Sequence, residues 1–85
     1  MRDGEIVLVQ WVDAAAPDSL ECLTEKDVHE LAPLVMEDVG FYFDNGDAVT
    51  LVGNISEQGL MRRVITIPKV NVIKVVRLKR GREHE

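Results

Sequence analysis

Asp44-Asn45-Gly46-Asp47 separates two apolar runs, Val39-Gly40-Phe41-Tyr42-Phe43 before it and Ala48-Val49-Thr50-Leu51-Val52 after it. Asn-Gly is the favoured pair for a two-residue type I′ turn, because both central positions need positive φ. The spacing predicts a hairpin with Asn45 and Gly46 at its tip, in which Phe43 opposes Ala48, Tyr42 opposes Val49 and Phe41 opposes Thr50. Because side chains alternate along a strand, Val39, Phe41 and Phe43 fall on one face and Tyr42 on the other. Leu60 to Ile67, the step Pro68-Lys69 and the run Val70 to Leu78 continue this hairpin into a β-meander.

Upstream, Glu5 to Val12 is apolar almost throughout, and its β-branched content and short length predict a strand. Its apolar side chains point to both faces, so it needs cover on two sides, as in a small barrel or at a subunit contact. Asp13 to Ser19 reads as a loop, with Pro17 biasing Ala16 away from helix. Thr24 with Asp27 three residues on forms a variant of the capping box, and Leu23 with Val28 has the spacing of a hydrophobic staple. Pro33 limits that helix to about Glu25 to Ala32. So short a helix is unstable alone, and it is expected to dock as a lid through Val28, Leu31 and Leu23. Gly40 and Gly53 mark bends or bulges of the kind a small closed sheet requires. Pro68 removes a ladder donor and stops pairing, and Lys69-Val70-Asn71 turns the chain into a last strand, Val72 to Leu78.

The result is a mainly β fold: one small, five-stranded, partly open barrel over residues 1–78, a short helix between strands one and two, and a charged tail over 79–85. At 85 residues the chain buries only roughly 60–65% of what its unfolded form exposes. With 46% apolar and 29% charged residues it is too apolar for disorder. No apolar run reaches the ~18 residues of a membrane helix, and no membrane association is expected. Met1-Arg2-Asp3-Gly4-Glu5 lacks the basic-then-apolar order of a signal peptide, and Cys22 is the single cysteine. Both point to the cytoplasm.

The net charge of −5 conceals a division along the chain. Residues 1–60 hold thirteen Asp and Glu against Arg2 and Lys26, whereas residues 61–85 hold eight Lys and Arg against Glu83 and Glu85. In a meander the basic strands can lie beside acidic ones and be neutralised. Otherwise Arg62, Arg63, Lys74, Arg77, Lys79, Arg80 and Arg82 are the residues that would contact nucleic acid or an acidic partner. Residues 61–85 lack the interleaved aromatics that stack single-stranded bases. Trp11 and Tyr42 are the natural interface anchors if the barrel leaves them accessible, and core residues if it does not.

Other constellations are weak. Asp44 to Asp47, with Glu37 and Asp38, is acidic but lacks the spacing of a calcium loop, and turn chemistry explains it. Cys22 and His29 fall short of a zinc set, so Cys22 is expected to be a small buried apolar residue and His29 to lie on the exposed side of the helix. Phosphate-binding Gly loops, Gly-x-Ser-x-Gly and His-Glu-x-x-His are all missing. No catalytic, metal or cofactor residue is proposed. The expected role is non-enzymatic: a module that self-associates as a homo-oligomer or docks on a protein partner, with nucleic-acid binding by the basic strands as the alternative.

Trp11-Val12-Asp13-Ala14 after strand one, Val39-Gly40-Phe41 entering a hairpin, and Ile67-Pro68-Lys69 before Ile73 share an order with a known group. In these features the chain resembles small SH3/Sm-like barrel proteins encoded by bacteriophages, many without an assigned activity. The resemblance spans nearly the whole chain and implies a fold, a viral origin and a host-cytoplasmic setting, with no catalytic residues. An Sm-like relationship implies a ring of subunits binding RNA. In that arrangement a helix precedes strand one, whereas here it follows.

Overall fold

The computed structural model describes residues 1–14 and 22–79. It contains strands β1 (Ile6–Asp13), β2 (Leu34–Asn45), β3 (Ala48–Ile55), β4 (Met61–Pro68) and β5 (Val72–Arg77). One helix, α1 (Glu25–Glu30), lies between β1 and β2, and Lys69–Asn71 forms a 3-10 turn between β4 and β5. Every pairing is antiparallel, in the order β4-β3-β2-β1-β5. The edges β4 and β5 do not pair with each other, so the sheet is a small, partly open barrel.

Strand alternation builds the core on the inner face. Val7, Val9 and Trp11 from β1 meet Tyr42, Val49, Leu51 and Ile67, with Ile65, Val72 and Val75 packed against them. Each such side chain contributes about 1.5–3 kcal/mol on burial. Trp11 and Tyr42 are therefore core residues, only 8% and 7% exposed, and are not interface anchors. The Trp11 indole Nε1 donates to Asp38 Oδ2 at 2.7 Å, which satisfies the one polar atom its burial would otherwise strand.

The β2–β3 hairpin forms, but in a register two residues away from the one expected. Tyr42 opposes Leu51, Phe43 opposes Thr50, and Asn45 opposes Ala48. Gly46 and Asp47 thus form the tip, with Gly46 at φ +71° and Asp47 at negative φ, the type II′ pattern rather than type I′. The cause is local. Asn45 stays in the strand with its side-chain amide donating to Thr50 Oγ1, while Asp44 Oδ1 accepts the Gly46 N–H at 2.8 Å. A slip of two preserves the faces, so Tyr42 remains opposite in sense to Phe41 and Phe43.

Gly40 and Gly53, expected at bends or bulges, both sit where the sheet leaves no room for a side chain. A Cβ on Gly40 would lie 2.9 Å from the Val52 carbonyl oxygen, where β2 passes from pairing with β1 to pairing with β3. At Gly53 the neighbour is Arg63, whose φ of 56° puts it in the left-handed region. A Cβ on Gly53 would come within 2.8 Å of Arg63 Cβ, so the glycine makes room for this kink in β4.

The helix corrects a second expectation. Thr24 Oγ1 accepts from the Asp27 N–H and Asp27 Oδ2 accepts from the Thr24 N–H, both at 3.1 Å, completing the capping box. The element ends at Glu30, however, and none of its residues is buried. Leu23, Val28 and Leu31 are all exposed, so α1 is an arm and not a docked lid. Pro33 leads directly into β2, whose first residue, Leu34, pairs with Asp13 at the end of β1, two residues past the core residue Trp11. Cys22, beside the arm, is likewise exposed instead of buried. His29 is exposed as expected.

The molecule is consequently extended. Its radius of gyration is 16.8 Å, against about 12 Å for a compact chain of this length. It exposes 6998 Å², against about 5,000 Å² for a compact globule of the same size. No helix among the described residues is long and apolar enough to cross a membrane.

Candidate interaction surface

The outer face of the sheet is apolar, in rows fixed by the strand register. Leu8 lies directly between Val39 on β2 and Val76 on β5. One step along, Ile6 opposes Phe41, Phe41 opposes Val52, and Val52 opposes Val64. Val52 is buried, but Val39 is 57% exposed, Val64 54% and Val76 40%. On the other side of the Leu8 row, Gln10 lies between Glu37 and Lys74. Val39 and Val76, on either side of the half-buried Leu8, thus present apolar surface to solvent beside one acid and one base, while Val64 lies beyond the buried Val52. The amphipathic logic of a one-sided sheet does not call for it. The signal in the sequence was the unbroken apolar run of β1, whose even-numbered residues Ile6, Leu8 and Val12 face outward.

The seven basic candidates do not form one site. Arg77 Nε donates to Glu5 Oε2 at 2.6 Å, so this cation is neutralised within the fold. Lys69 behaves in the same way, its Nζ lying 3.1 and 3.0 Å from the two oxygens of Asp44. The hydrogen bond from Lys69, helped by that from the Gly46 N–H, holds the Asp44 carboxyl below its ordinary range, and Asp44 in turn raises Lys69. Arg62, Arg63, Lys74 and Lys79 have no ion-pair partner among the described residues. Arg62 and Arg63 sit on the edge strand β4 and Lys74 on the opposite edge strand β5, so all five strands span the distance between them. Arg80 and Arg82 lie outside the described residues.

Small-molecule chemistry finds little purchase. A cleft of about 220 Å³ is lined by Gly4, Glu5, Ile6, Arg77 and Leu78, below the usual ligand-pocket range of about 300–1,000 Å³. Its two charged groups are already paired with each other. Among the described residues no three His, Cys, Asp or Glu side chains converge as metal ligands. At the acidic turn, Asp3 Oδ1 accepts the Asp44 N–H at 3.0 Å, and Asp44 is engaged by Lys69. Comparison with family models, with curated proteins and with solved structures finds no match to the chain.

Proposed function

We propose that this chain is a non-enzymatic assembly module, a small barrel that self-associates or docks on a protein partner. The observation that carries the proposal is the exposed apolar outer face centred on Leu8, Val39 and Val76. Monomeric soluble proteins rarely leave such a face uncovered unless it binds something. The features shared with small SH3/Sm-like barrels of bacteriophages favour an assembly role in the host cytoplasm. Size-exclusion chromatography with light scattering, at low and high salt, tests the self-associating form. A mass above one chain that persists at high salt is expected. One-chain mass at high concentration in both salts argues against it and leaves only docking on another protein.

A second function, nucleic-acid binding, draws on Arg62 and Arg63, two adjacent cations on an edge strand without ion-pair partners among the described residues. Phosphate contacts of this kind give salt-sensitive, sequence-independent affinity. Fluorescence anisotropy with labelled single- and double-stranded DNA and RNA decides it. Binding lost in Arg62→Glu plus Arg63→Glu supports it, and the absence of binding at low salt removes it.

A further inference from the structure

We infer that the occupant of the outer face is a second copy of this chain, packed sheet on sheet about a two-fold axis that runs along β1. This rests on the assembly role proposed above and specifies its partner and geometry. The register supplies the reason. Within one chain, Glu37, Gln10 and Lys74 form a row across β2, β1 and β5 on the apolar face. With strands about 4.8 Å apart, the Glu37 and Lys74 backbones stand about 10 Å from each other across Gln10. Neither has an ion-pair partner among the described residues.

Rotation by 180° about an axis parallel to β1 lays β2 of one chain over β5 of the other and keeps each row at its own height. Glu37 then faces the partner's Lys74, and Lys74 faces the partner's Glu37, so the row is complementary to itself. The row above is complementary too. Leu8 meets the partner's Leu8, and Val39 meets the partner's Val76, with sheets about 10 Å apart as in aligned β-sandwich packing. An axis perpendicular to the strands through that row would stack Glu37 on its own copy, placing like charges together. The charges therefore favour the axis parallel to the strands.

The test uses the full chain and two single charge reversals at exposed positions, Glu37→Lys and Lys74→Glu, alone and mixed, with dimer dissociation constants measured by sedimentation. Each variant alone brings two like-charged contacts together and is expected to dimerise about tenfold more weakly, or worse, than wild type. An equimolar mixture restores both contacts across a heterodimer and is expected to recover wild-type affinity. Val39→Arg, at a residue with no part in the core, is expected to abolish dimers while circular dichroism stays unchanged. Wild-type chain that is a dimer but indifferent to these substitutions overturns this interface and leaves the assembly role standing. The same conclusion follows if mixing fails to rescue. Wild-type chain that is monomeric throughout overturns both self-association and the interface.

Discussion

Arg63 holds a left-handed backbone conformation, at a cost of about 1 kcal/mol or more, because Gly53 across the ladder leaves space for its Cβ. The two positions should therefore be coupled. Gly53→Ala is expected to destabilise by about 1–3 kcal/mol through overpacking, and by clearly less in an Arg63→Gly background, where the opposing Cβ is gone. Urea unfolding of the four members of that cycle measures the coupling, and additive effects would show that the contact does not matter. Trp11 offers a second case. Trp11→Phe keeps the ring in the core but removes the donor to the half-buried Asp38 carboxylate, for an expected loss of about 1.5–3 kcal/mol. Asp38→Asn in the same background should recover part of it. Both effects are readable by chemical denaturation followed by far-ultraviolet circular dichroism.

Among the elements, α1 and the β2–β3 hairpin show what local sequence can and cannot say. The capping box at Thr24 and Asp27 was legible because it depends on residues three apart. Docking of the helix was not, because it depends on where β2 begins relative to the core, which no short window encodes. Since none of its residues is buried, Val28→Ser is expected to change global stability by less than about 0.5 kcal/mol, whereas a docked lid would lose well over 1 kcal/mol. In the hairpin, Asn45-Gly46 correctly announced a turn but the register slipped by two. Side-chain bonds from Asn45 to Thr50, and to Asp44 from Gly46, outweighed the intrinsic preference of the Asn-Gly pair. The five strands were legible from their apolar runs and turn signals, but their order was not: a meander puts the last strand beside β4, whereas β5 pairs with β1. The candidate surface was half visible, as apolar residues on both faces of β1. Which outward residues adjoin one another is set by the pairing of β1 with β2 and β5, long-range contacts that the sequence does not display.

For the whole molecule, the uneven distribution of charge resolves into two pairs that join the acidic and basic parts of the chain, and a set of cations with no ion-pair partner among the described residues. Lys69 closes on Asp44 from β4's end to the hairpin tip, and Arg77 closes on Glu5. Asp44 sits below its ordinary pKa when folded, so its stabilising contribution is present at neutral pH and is lost as pH falls through the folded value. Urea midpoints measured from neutrality down to below about pH 3.9, the ordinary aspartate value, should fall less steeply in Asp44→Asn than in wild type. Identical slopes would show that the pair contributes nothing. The apolar outer face is the larger feature, and the proposed assembly role rests on it. Isotope-filtered NOE spectroscopy on a mixture of labelled and unlabelled chains examines that claim at atomic resolution. Within one chain Val39 and Val76 stand about 10 Å apart, two strands removed, beyond NOE range. Cross-peaks between the methyls of Val39 and the partner's Val76 are the predicted result; a chain that tumbles as a monomer and shows no intermolecular peaks from Leu8, Val39 or Val76 would contradict it.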